Sequence, residues 1–338
     1  MHLANELDGQ TVDILVQEVT ARYDIVHRYY RIKRELLAVE TLYDYDRYAP
    51  VPGGNEQILS WKQCQDIVIG AFAGFSQKMA AIAEDFFHRG WFHAPIMHGK
   101  RGGAFAHPCV PAVHPYIMVN YNGNMRDVAT VAHEIGHGVH QILAAAQGYY
   151  NSDTPLVLAE TASVFAEMLV FKAQLQLLTD EQTKRAFVFQ KLESIFATVF
   201  RQVAMNRFEK CLHTGRREQG ELSAEQISAF WMETQRPMFG DAVELREDYA
   251  LWWTYISHFL ATPGYVYSYA FGELLVLALY ARYLQEGEAF VGRYIDLLGA
   301  GGNGAPQELL LPFGIDLGDA GFWCGGLDII ESMVAEIA

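Results

Sequence analysis

His133, Glu134 and His137 stand as HExxH within RDVATVAHEIGHGVHQILAA (126–145). Four residues apart on a helix, the two histidines project from one face, one turn apart. Two imidazoles at that spacing can share one zinc ion through nitrogen. Glu134, beside His133, would reach a water activated by that ion without being a ligand, and so could serve as general base. A bare HExxH also arises in ordinary helices, so it needs support. Val131, Ala132, Ile135, Val139, Ile142 and Leu143 predict a largely buried helix, where two histidines and a glutamate require a compensating partner. Asn124 is the expected N-cap, with Asp127 in the favourable first turn.

Catalytic zinc takes three protein ligands and leaves one position open. The third is expected on a following helix, and TPLVLAETASVFAEMLVFKAQLQLL (154–178) fits, its apolar periodicity interrupted by Glu160 and Glu167. Seven residues apart, these two face the same side. Glu160 is the expected third ligand. Glu167 is expected to accept a hydrogen bond from a ligand histidine. A solvated or structural acid is the alternative reading of each. His140, also on the histidine face, is expected to be a packed core histidine.

Helices must position these groups. The pattern from Thr11 to about Leu42 predicts a long helix or a helix pair, 49–56 a Pro- and Gly-rich loop, and Ile58–Phe87 a helix. The stretch 90–121 changes texture and predicts loops with two short strands, near Gly103–Ala106 and Tyr116–Tyr121. Helical periodicity then runs to about Leu298, with breaks expected at Thr214–Gly220 and Thr262–Gly264. A loop-rich tail, 299–323, precedes a last helix. No linker is visible, which predicts one mainly α domain over 1–338: a helical lead-in (1–90), strands and loops (91–125), zinc-site helices (126–298) and a C-terminal loop and helix (299–338).

The net charge of −15 over 338 residues argues against nucleic acid and against anionic membranes. The four cysteines are scattered with no CxxC pair, which suggests neither a disulfide framework nor a cysteine zinc site. The N-terminus shows no basic start followed by an apolar core, and apolar runs are too short to span a bilayer. A reducing, cytoplasmic location is expected.

Several stretches together resemble the oligoendopeptidase F branch of the thimet oligopeptidase superfamily of zinc metallopeptidases. They are, in order, GKRGGAF (99–105), PYIMVNY (115–121), RDVATVAHEIGHGVH (126–140), AETASVFAEM (159–168), HFLATPGYVYSYAFGELL (258–275) and GAGGNGAPQELL (299–310). The resemblance covers roughly residues 12–330. It implies a zincin-like, mainly helical catalytic domain with a small β-sheet beside the active-site helix, and a channel that admits short peptides. It maps the zinc ligands, one ion per chain, to His133, His137 and Glu160. It implies that Gly102, Gly103, Ala104 and Phe105 form a sheet edge along which a peptide backbone is held. It also implies that a histidine and tyrosines, here His258, Tyr265 and Tyr269, stabilise the tetrahedral intermediate. Tyr265 and Tyr269 would share a helical face and Tyr267 would point elsewhere; aromatic core is the alternative for each.

Members of that branch are usually longer, with a helical N-terminal lobe forming the other channel wall. This chain would start where that lobe ends: either it is a truncated or naturally short form, or a homo-oligomer or a partner supplies the wall. The expected activity is zinc-dependent cleavage of internal bonds in short peptides. Three rivals are an aminopeptidase, a zinc-bearing peptide-binding module with little activity without a covering lobe, and a helical interaction protein with structural zinc.

Overall fold

In a computed structural model, residues 5–54 and 58–338 are described, and the structure is mainly helical. The start of the N-terminal leader reading and part of the 49–56 loop reading lie outside the described residues. The chain runs through α1 (Gly9–Ala21), α2 (Tyr23–Leu36), α3 (Trp61–Phe75) and α4 (Gln77–His88) into β1 (Phe92–His93), β2 (Phe105–His107) and β3 (Tyr116–Met118). Then come α5 (Met125–Ala144), α6 (Leu156–Ala159), α7 (Thr161–Leu177), α8 (Glu181–Thr198), α9 (Phe200–Gln219) and α10 (Ala224–Phe239). The last elements are α11 (His258–Ala261), α12 (Tyr267–Glu286), α13 (Glu288–Gly299), α14 (Pro306–Leu310) and α15 (Ala320–Glu336). Among the described residues no helix is long and apolar enough to cross a membrane.

Local chemistry sets most boundaries. The first helical stretch is a pair, because Arg22 leaves helical geometry at φ −109°, ψ 24°. The second splits at Ser76, whose extended backbone ends α3 and whose hydroxyl caps α4 by accepting from the Met79 N–H. Helix α9 runs through the expected break at Thr214 and stops only at Gly220, where φ is +83°. The strands are shorter than expected, and β1 was not anticipated at all. The sheet order is β1-β3-β2, with Phe92 opposite Ile117 in the parallel pair and Ala106 opposite Ile117 in the antiparallel pair.

The chain divides into two compact units: residues 1–54, 181–275 and 317–338 form the first, and 55–180 and 276–316 the second. In the first, Tyr29 of α2 packs on Phe189 and Phe196 of α8 with ring centroids 5.3 and 4.6 Å apart. Phe208 of α9 meets Trp231 of α10 edge to face. The second unit carries the sheet and α5. Its core joins Phe75 of α3, Phe165 of α7 and Tyr294 of α13, with Phe165 and Tyr294 centroids 4.5 Å apart.

Candidate active site

Helix α5 begins with a capping box: Asn124 Oδ1 accepts the Asp127 N–H, and the Asp127 carboxylate accepts the N–H groups of Asn122, Gly123 and Asn124. This fixes where the helix starts and hence the face on which His133 and His137 emerge. The glycines of HEIGHG then set the packing. A Cβ on Gly136 would lie 2.6 Å from Ala162 O and from Ser163 Cα, so α7 can approach only because that atom is missing. A Cβ on Gly138 would lie 2.5 Å from Phe86 Cζ of α4. Close approach to α7 is what carries Glu160 to the histidines.

Glu160 occupies the junction of α6 and α7, at φ −83°, ψ −3°. Its Oε2 lies 3.3 Å from His133 Nε2 and 3.4 Å from His137 Nε2, and the two nitrogens are 3.1 Å apart. A tetrahedral zinc with bonds of about 2.0–2.1 Å needs donor atoms about 3.3–3.4 Å apart, so this triangle fits the ion. His133, His137 and Glu160 form the one metal-capable cluster found among the described residues. Glu167 Oε1 sits 2.6 Å from His133 Nδ1, which fixes the ring and leaves Nε2 facing the other donors. Ser163, fully buried, donates to Glu160 Oε2 at 2.7 Å and holds that carboxylate in place.

Glu134 is 5 % exposed, and its Oε2 is buried with no hydrogen-bond partner among the described residues. A carboxylate oxygen in that state takes its partner from water, an ion or a ligand. Burial raises the Glu134 pKa, opposed by the two histidines and assisted by Glu160 and Glu167. Burial works against a charged His133, yet Glu167, Glu160 and Glu134 outweigh it and push the imidazole up to about 9. For Glu160, burial is outweighed by His137, His133 and Ser163, and its carboxyl falls to about 2. The site is built for a cation. His140 is buried, as a core histidine should be, and burial with the His137 charge lowers it to about 4.

His258, Tyr265 and Tyr269 come together in the first unit, whereas the histidine–glutamate cluster belongs to the second. Tyr269 Oη lies 3.3 Å from His258 Nε2, and the Tyr265 and Tyr269 centroids are 5.0 Å apart. The shared helical face needs correcting: α12 starts at Tyr267, and Tyr265 precedes it. The turn at Pro263–Gly264, with Gly264 at φ +78°, delays the helix. Tyr267 does point elsewhere, fully buried with its hydroxyl accepting from Asn5 Nδ2. A residue not singled out from sequence holds this turn: buried Glu209 of α9 accepts the Gly264 N–H at 2.6 Å. No spacing rule connects positions so far apart in the chain.

The sheet edge also needs correcting. Strand β2 starts at Phe105, so of the four expected residues only Phe105 is in it; Gly102 and Gly103 form a bend. Among the described residues β2 pairs on one side only, with β3. Gln141 Nε2, two turns beyond His133 on α5, approaches Ala106 O at 3.4 Å.

A family match spans residues 78–329 and carries the description peptidase family M3. The chain is 29% identical to oligopeptidase PepF of Bacillus subtilis over 93% of its own length and 47% of that protein. It is 24% identical to the chromosomal oligoendopeptidase F of Lactococcus lactis subsp. cremoris, over 99% of this chain and 55% of that one. The solved oligoendopeptidase-F of Enterococcus faecium superposes with a TM-score of 0.75 at 23% identity, covering 99% of this chain and 53% of that chain. The chain thus spans about half the length of the relatives it matches. Because the family match runs across well over half of it and encloses the donor triangle, the chain belongs to peptidase family M3.

Proposed function

We propose that this chain is the zinc-binding catalytic part of an endopeptidase that cleaves internal bonds of short peptides. The observation that carries the reading is the donor triangle of His133, His137 and Glu160 with the unpartnered, buried Glu134 carboxylate beside it. Zinc bound there supplies a Lewis acid that polarises a scissile carbonyl and makes water acidic. The protein supplies the rest. Glu134 takes the proton of the attacking water and passes it to the leaving amine, a task suited to a carboxyl whose pKa burial has raised. Glu167 keeps the His133 ring aimed, and Ser163 keeps Glu160 aimed.

An extended peptide adds to the free edge of β2, which starts at Phe105, with the Gly102–Gly103 bend leading into it. Tyr265 or Tyr269, arranged by His258, donates a hydrogen bond to the oxyanion, a contribution of about 3 kcal/mol where such donors have been removed elsewhere. The related peptidases named above support the substrate class, and cytoplasmic placement belongs to the same proposal.

The deciding experiment is hydrolysis of an internally quenched fluorescent peptide, blocked at both ends, with zinc, with chelator and by Glu134→Gln. Internal cleavage that chelator abolishes and Glu134→Gln lowers by about 10²- to 10⁴-fold is expected. Zinc stoichiometry should survive Glu134→Gln and be lost in Glu160→Gln. Substantial turnover by a zinc-replete Glu134→Gln protein would overturn the mechanism. No cleavage by the zinc-replete parent would favour the binding-module reading.

A further inference from the structure

The segment leading into β2 is held by two side chains that the chemistry above does not use. Lys100 Nζ donates to three backbone carbonyls: His93 O at 3.0 Å, Pro95 O at 2.8 Å and Val119 O at 2.6 Å. An ammonium has three N–H donors, and each finds one acceptor. The three carbonyls come from the ends of β1 and β3 and the turn after β1, so Lys100 ties its own loop to both strands. Asn120, next to Val119, works from the opposite side: its Nδ2 donates to Arg101 O and Gly103 O, both at 3.0 Å. Of residues 100–103, Lys100, Arg101 and Gly103 are therefore held, and Gly102 between them is not.

What is gripped is a backbone that would otherwise be loose. Gly102 and Gly103 have the widest conformational choice of any residue type, and Gly103 uses it, at φ +83°. A Cβ built on Gly102 would meet nothing within 4 Å, so no neighbour among the described residues requires a glycine there. Open space over a fixed backbone suits the approach of another backbone. A peptide adding to an edge strand gains only what remains after the edge itself is ordered, and ordering it beforehand removes that cost.

We propose that Lys100 and Asn120 are positioning residues that fix the Gly102–Gly103 bend and so hold the start of β2 at Phe105 ready to pair with an extended peptide, largely independent of its side chains. This rests on the peptidase reading above. The test uses the full chain carrying Glu134→Gln, so that binding is measured without turnover. A fluorescently labelled blocked peptide is compared with analogues N-methylated at each backbone amide in turn. The parent should bind the plain peptide about tenfold more tightly than the analogue that lacks an amide facing the edge. Lys100→Met and Asn120→Asp, which remove the donors with little change of shape, should each shrink that ratio towards one while zinc stays stoichiometric.

A ratio does not depend on the fraction of protein folded, so general damage to the fold would leave it unchanged. Should Lys100→Met fail to fold, Asn120→Asp decides alone. Retention of the tenfold preference in the variants overturns the proposal. Absence of peptide binding by the zinc-replete Glu134→Gln parent would instead bring down the peptidase reading, and the clamp with it.

Discussion

Three carboxylates, Glu134, Glu160 and Glu167, surround two imidazoles in a half-buried space, and their summed charge sets the behaviour of each neighbour. His133 is pushed up to about 9, so a proton and a metal compete for the same ring and metal uptake releases that proton. His140, one turn beyond His137, goes the other way, down to about 4. An unfolded chain takes that proton near pH 6.5, the folded one only near 4, so between them the unfolded state binds more protons. Stability should be full above pH 6.5 and fall as the pH drops towards 4, by up to about 3 kcal/mol for a shift of this size. Denaturant unfolding between pH 7 and 4 checks this, with His140→Gln expected to flatten the profile. An equally steep fall in that variant would assign the acid sensitivity to other groups. At this scale the sequence was highly legible: i, i+4 spacing found His133 and His137, and i, i+7 spacing found Glu160 and Glu167. Ser163, Glu209, Lys100 and Asn120 escaped, because each acts by touching a backbone or carboxylate atom whose position no local pattern reveals.

Helices α5 and α7 form the element on which the site depends, and at Gly136 they approach too closely for a Cβ. Gly136→Ala should force α7 outward, lowering stability by about 1–3 kcal/mol and weakening zinc, because Glu160 moves with α7. Gly70→Ala is the control: Gly70 is exposed on α3 with nothing within 4 Å of a built Cβ, and the change should be neutral or stabilising by roughly 0.5–1 kcal/mol. Thermal unfolding with a zinc-binding dye assay measures both. An unaltered Gly136→Ala protein would show that α7 accommodates the methyl without moving the ligand. Helix periodicity announced these elements, and the Asn124–Asp127 cap was readable because capping is a local exchange of hydrogen bonds. Two of the strands were placed but their limits were not, and β1 was missed, for the opposite reason. β1 is two residues long, and β2 is touched by side chains from elsewhere, Asn120 on the segment before it and Gln141 on Ala106 O, that no local pattern reveals.

Each of the two units is discontinuous in sequence, and the junction after Leu275 falls inside α12, where no change of composition marks it. The cation cluster lies wholly within the second unit. Removing zinc with a chelator should therefore raise amide exchange in α5 and α7 and leave α2, α8 and α10 of the first unit unchanged. Free zinc at about 100 times its dissociation constant should add about 3 kcal/mol to the stability of whatever unfolds with the site. Exchange that rises equally in both units would mean that they unfold as one. The acidic, mainly helical character of the molecule was plain from composition and periodicity, whereas its partition into units depends on contacts between distant segments.

A strand edge kept open for a peptide must also refuse another copy of the same edge. Exposed main-chain groups are a template for runaway stacking of chains, and crowding makes the hazard worse. β2 limits it by being three residues long, by passing at once into Pro108, which has no N–H to offer, and by belonging to a chain of net charge −15 whose copies repel. The same brevity that blurred this strand's limits in the sequence is what keeps its open side from seeding aggregates.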